Sequence, residues 1–132
     1  MAGNIRFLKL SRVLAIHHSS TKHYGGDPGI RDIGLLQSAI AMPQSMFAGH
    51  YLHATLHEMA SAYLFHICAN HPFVDGNKRT SAMTAIIFLD LNGIEVTASQ
   101  SDLVDLVLGV AEGRTQKPEI TEFFQANTKP RA

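Results

Sequence analysis

Apolar residues recur at helical spacing along most of this chain, and the pattern is broken at a few Gly, Pro and Asn positions. Val13, Leu14 and Ile16 open it, with Ser11 as the expected N-cap of a first helix running to about Tyr24. Gly25-Gly26-Asp27-Pro28-Gly29 then stops the chain, and Asp32 is placed to cap a short second helix from Ile33 to about Met42, ended near Pro43. Residues 43–50 read as a loop. Leu52, Leu56, Met59, Ala60, Tyr63, Leu64 and Ile67 share one face of a third helix expected over Tyr51 to Ala69. A fourth begins at Gly76 or Asn77 and is apolar on most faces through Leu91, which predicts a central buried helix stopped by Asn92-Gly93. Ile94-Glu95-Val96 is a short extended piece. Ser99 or Ser101 caps a fifth helix to about Glu112, and a sixth covers roughly Glu119 to Asn127. Six helices with almost no strand alternation predict an all-α bundle.

Composition narrows the class. At 132 residues the chain is long enough to bury a core as one domain, with no internal repeat and no second domain expected. A hydrophobic share of 45% against 17% charged fits a globular protein. Zero formal net charge gives no basic field, so direct nucleic-acid binding is not expected. The one cysteine, Cys68, lies in an apolar helical pattern and reads as a small buried hydrophobe. The longest apolar run near the N-terminus, Val13 to Ile16, is too short for a signal-peptide core. Ala82 to Leu91 falls short of a membrane span. The chain reads as cytoplasmic, with no membrane partner.

The chemistry concentrates in His71-Pro72-Phe73-Val74-Asp75-Gly76-Asn77-Lys78-Arg79. Asn77, Lys78 and Arg79 fall in the first turn of the fourth helix, where backbone N–H groups lack partners and the helix dipole favours an anion. Gly76 lets a phosphate approach the backbone, Arg79 can grip it with two parallel bonds, and Asn77 can donate another. Lys78 adds charge. Asp75 would repel phosphate unless a cation bridges them, and Mg2+ held by one carboxylate plus phosphate oxygens answers that need. Histidine is the side chain whose unperturbed pKa lies near neutrality, so His71 suits taking a proton from an attacking hydroxyl. Phe73 should anchor the loop from inside and Pro72 stiffen it. The bland alternative makes Asp75 the N-cap and His71 a satisfied core histidine; five compatible residue types in order favour the phosphate site. The spacing of a Walker loop is absent.

These residues resemble the active-site motif of the Fic/Doc family. Tyr24-Gly25-Gly26, Gly29-Ile30-Arg31-Asp32 and Leu36-x-Ser38-Ala39 resemble its death-on-curing branch, so the likeness spans essentially the whole chain. It implies the all-α Fic fold and transfer of part of ATP to a protein hydroxyl. By that likeness His71 is the base, Asp75 holds Mg2+, and Gly76, Asn77, Lys78 and Arg79 form the anion hole. Many family members transfer AMP; Doc-type toxins move the γ-phosphate to elongation factor Tu. Ala82 stands where AMP-transferring motifs often carry a second arginine, while Gly76 follows the AMP-transferring pattern where Doc has alanine. The balance at this point leans to AMP transfer by the toxin of a toxin–antitoxin pair. Met42, Met46 and Phe47 fall where the family carries a flap that docks the target. Self-inhibition by a Ser/Thr-x-x-x-Glu-Gly/Asn helix is poorly matched by either Thr115–Glu119 or Leu108–Glu112, which implies a separate antitoxin protein.

Other residues support weaker readings. His50, His53 and His57 would share a face of an early-starting third helix and could hold a transition metal, though a fourth ligand is lacking. His57-Glu58 does not continue to a second histidine, so the zinc-protease pattern fails. His17, His18 and His23 read as surface or packing residues. Glu58 and His66 read as structural hydrogen-bonders. A non-catalytic module that only binds a nucleotide or a partner is the alternative to an enzyme.

Overall fold

The computed structural model describes residues 4–132, and six α-helices dominate them. The elements are α1 (Leu10–Tyr24), α2 (Ile33–Ala41), a 3-10 turn (Met42–Gln44), β1 (Met46–Phe47), β2 (His50–Tyr51), α3 (Leu56–Asn70), α4 (Asn77–Leu91), β3 (Ile94–Val96), α5 (Gln100–Ala111), α6 (Lys117–Ala126) and β4 (Thr128–Pro130). The all-α architecture is therefore as expected. The central position expected for the fourth helix is shared: α3 and α4 pack along each other, α3 also meets α2, α5 and α6, and α4 also meets α1 and α5. Tyr63, Leu64, Ile67, Phe88, Leu89 and Phe124 are fully buried where these helices meet. The Tyr63 hydroxyl accepts the Leu8 N–H at 2.9 Å, which satisfies the polar end of a core aromatic.

Local chemistry sets the helix starts. Asp32 accepts the Leu35 N–H, Thr55 and Glu58 form a reciprocal capping box, and Ser99 accepts the Asp102 N–H. The first helix departs slightly from expectation: it starts at Leu10, with no side-chain cap. The third starts later than its apolar pattern suggests. His50 and Tyr51 belong to a two-stranded hairpin, in which Met46 pairs Tyr51 and Phe47 pairs His50 across a turn with Ala48 and Gly49 both at positive φ. The last helix starts at Lys117, because Pro118 sits in its first turn, where a missing N–H costs nothing. The chain closes with β4 lying antiparallel to β3, a pairing that the short extended piece at 94–96 did not reveal.

Candidate active site

The motif loop joins α3 to α4, and its shape follows from its residues. Pro72 disfavours helical geometry in the residue before it. His71 turns into the left-handed region (φ 52°, ψ 52°), which is rare for a residue with a side chain. The Arg31 guanidinium steadies this exit, donating to the carbonyls of His71 (2.7 Å) and Asn70 (3.0 Å) at the negative end of α3. Residues 29–32 then run antiparallel to the loop: Arg31 and Asp32 N–H groups reach the Pro72 carbonyl, and Val74 N–H reaches Gly29. Phe73 is fully buried, as expected of the loop's anchor.

Asn77 is buried, at 5% exposure, and its side chain braces the loop. Its Oδ1 accepts the Phe73 N–H at 2.9 Å, and its Nδ2 donates to the Phe73 carbonyl at 2.9 Å. That pair fixes which end of the amide is nitrogen. The remaining Nδ2 hydrogen faces His71 Nδ1 at 3.2 Å, so the neutral resting imidazole carries its proton on Nε2. The expectation of an Asn77 side chain donating to phosphate is therefore corrected: the amide is committed inward, and the backbone N–H is what Asn77 offers.

Gly76 precedes α4 with φ 81°, a left-handed geometry suited to glycine, and α4 has no side-chain cap. Asp75 does not cap it either. The Asp75 carboxylate turns back and accepts the Asp27 N–H at 3.1 Å, and a Cβ on Gly26 would stand 3.3 Å from Asp75 Cβ. Gly26 thus lets the chain pass close beside the carboxylate. The first-turn N–H groups of Asn77, Lys78 and Arg79 are left without side-chain caps, whereas α2, α3 and α5 have theirs filled.

His71, Asp75, Gly76, Asn77 and Lys78 line one cavity of about 290 Å3, with Cys68 in its wall. Burial pushes the Cys68 thiol up, which fits the inert reading. Arg79 stands apart. Its guanidinium lies 4.2 Å from the centre of the Tyr24 ring, in an adjoining groove between α4 and α5. The structure thus gathers five of the six polar and glycine motif residues into one pocket and places the sixth beside it.

Two residues outside the motif join it in space. His17, read from sequence as surface or packing, is 2% exposed and bonds the Asp75 carbonyl at 2.8 Å. Its ring stacks on Phe73, with centroids 3.7 Å apart. Nothing local in the sequence separates His17 from its neighbours His18 and His23. Arg31 lay within a recognised stretch, but its grip on the end of α3 had no local signal.

Of the flap residues, Met46 and Phe47 are exposed on β1, Phe47 by 74%. Met42 is half-buried in the preceding 3-10 turn, so it does not belong to the exposed hairpin. The histidine face does not form: His50 is in β2, His53 meets Lys117, and His57 Nε2 meets the Thr128 hydroxyl at 3.0 Å. Among the described residues no group of three or more His, Cys, Asp or Glu is placed to hold a metal without help from another ligand. Neither Glu112 nor Glu119 lines the motif pocket. Glu112 pairs with Arg114, and Glu119 closes the capping box that starts α6.

A helical core that presents an uncapped helix start, a carboxylate and a histidine in one pocket defines a class, and comparison with known proteins names it. The family model described as Fic/DOC matches residues 7–89, and the chain belongs to that family. It is 31% identical over 121 residues to "Protein kinase doc" of Escherichia phage P1, spanning 92% of this chain and 94% of that protein. It is 41% identical over 75 residues to "Toxin Doc" of Mycolicibacterium smegmatis, covering 57% of this chain and 58% of the relative. No helix among the described residues is long and apolar enough to cross a membrane.

Proposed function

We propose that this protein is a Doc-like toxin that transfers the γ-phosphate of ATP to a Ser, Thr or Tyr hydroxyl of a target protein. The observation that carries the reading is the meeting of His71, the Asp75 carboxylate and the uncapped start of α4 in one pocket. The α4 N–H groups and Lys78 receive the phosphate chain. Asp75 is exposed, and Asp27 engages only one of its oxygens, which suits Mg2+ bound by one carboxylate plus phosphate oxygens. When bound, Mg2+ would supply positive charge that offsets the charge of the phosphates. His71 takes the hydroxyl proton as the hydroxyl oxygen bonds to the γ-phosphorus and ADP leaves. In the resting geometry Asn77 holds its Nδ1, so that contact, the longest of the three made by the amide, opens and the ring proton exchanges before Nε2 can accept.

The sequence alone tilts toward AMP transfer. Likeness along nearly the whole of a protein kinase tilts the reading back to the γ-phosphate. So does Ala82 on the groove wall, where a second arginine would seat that phosphate for AMP transfer. Gly76 supports AMP transfer as the second reading. We further propose that a separate antitoxin segment restrains the enzyme by lying in the groove of about 340 Å3 beside Arg79, where Met83, Val104 and Val107 offer an apolar floor. The exposed Met46–Phe47 edge offers a strand to the target. Elongation factor Tu is the proposed target. Incubating the purified factor with this protein, ATP and Mg2+ and measuring its intact mass tests both readings. A gain of one phosphate is expected; a gain of AMP selects the second reading; an unchanged mass removes this factor as the target.

A further inference from the structure

His17 reaches the motif loop from 58 residues away in sequence. We propose that His17 is a positioning residue: it sets the direction of the Asp75–Gly76 peptide and so aims the Gly76 N–H into the anion pocket. The inference deepens the phosphate-transfer reading and rests on it only for what the anion is.

The geometry is restrictive. A carbonyl only accepts, so the 2.8 Å contact assigns the proton of His17 to Nε2. In a trans peptide the N–H points opposite to the C=O. With the Asp75 carbonyl drawn toward α1, the Gly76 N–H faces away from α1. Gly76 tolerates both signs of φ, so the peptide before it can flip at little steric cost unless something holds the carbonyl. His17 supplies that hold. Its own ring is fixed by stacking on Phe73 at an interplanar angle of 8°, and Phe73 is in turn held at its N–H and carbonyl by Asn77. A Cβ on Gly76 would lie 3.6 Å from the His17 ring and 3.7 Å from Thr21, so α1 also walls the inner side of this residue. One buried side chain therefore touches the loop at Phe73 and Asp75 and walls the space beside Gly76.

Inorganic pyrophosphate is the probe, titrated by calorimetry into the wild type, His17→Phe and His17→Gln. His17→Phe keeps an aromatic ring in the stack and removes the donor. His17→Gln loses the ring but carries an amide donor to the Nε2 position. The expected result is at least about a tenfold weaker affinity for His17→Phe, with His17→Gln within about threefold of wild type. A role in packing alone predicts the opposite ranking. Wild-type affinity in a folded His17→Phe overturns the proposal, as does a folded His17→Gln that binds no better than His17→Phe. Lack of pyrophosphate binding by the wild type overturns it as well. If the variants do not fold, the imidazole nitrogen shifts of the wild type decide: an Nε2–H His17 supports the proposal and an Nδ1–H His17 overturns it. Should the ranking hold while no protein is modified by ATP, the transfer reading falls and the positioning role stands.

Discussion

The Asn77 amide joins Phe73 to His71 through contacts that leave little freedom in the loop. Removing it in Asn77→Ala strands the buried N–H and carbonyl of Phe73, which costs about 1–3 kcal/mol for each polar group left unpaired. Urea unfolding should therefore show a lower midpoint with an unchanged slope, and an unchanged midpoint would contradict the bracing role. The motif's residue types were legible in sequence because helix-start chemistry is local: glycine before the helix, a carboxylate before the glycine, cations after it. The direction of each side chain was not. Asn77 turns inward because Phe73 offers a donor and an acceptor at the right reach, and Arg79 turns aside because Tyr24 offers its ring face. His17 and Arg31 act on carbonyls far along the chain, and no spacing rule encodes such bonds.

At the scale of elements, helices with side-chain caps such as α2 and α5 were placed within a residue or two, and so was the uncapped α4, which Gly76 and Gly93 bracket. The hairpin was missed because its turn uses Ala48, which pays for positive φ that Asn would adopt more easily. Its stem is tied down by a polar cluster that no pattern announced. Lys117 Nζ, at the start of α6, donates to His66 Nε2 on α3 at 2.9 Å and to His53 Nε2, between β2 and α3, at 3.3 Å. Burial pushes His66 down to about 4, with Lys117 and His53 adding to the effect. Burial and Lys117 also lower His53, partly opposed by Glu58 and the Met42 backbone. Burial lowers His57 too. In the unfolded chain each imidazole titrates near 6.5. The unfolded state thus takes up more protons over this range, so the stability tied to neutral imidazoles is full above about pH 6.5 and is lost as pH falls toward 4. Urea midpoints should drop between about pH 7 and pH 5, and the drop should be shallower in His66→Gln. Equal slopes in the two proteins would remove His66 as a contributor.

Across the whole molecule, the family match over residues 7–89 takes in α1 through most of α4, and with them all of the motif loop and its supports from α1 and residues 27–32. The later elements complete the pocket from outside that span: Ala111 at the end of α5 lines the motif cavity, and α6 packs against α3. The all-α class was readable from periodicity alone, since every long apolar stripe had helical spacing. The β3–β4 pair was not, because it joins pieces of three residues each, too short to show alternation. Zero net charge and the confinement of the proposed phosphate site to one motif pocket agree in pointing to one local electrostatic event rather than a charged surface. Phosphate transfer at this pocket is tested with ATP labelled at the α- or the γ-phosphate. Each is incubated with Mg2+, a bacterial lysate and either the wild type or His71→Ala. His71 is exposed, so the variant should fold as the wild type does, while loss of a general base lowers transfer by roughly 10²–10⁴-fold. A protein band carrying the γ-label is expected with the wild type and none with His71→Ala. Label transferred equally by a folded His71→Ala, or no label from either position with the wild type, would contradict it.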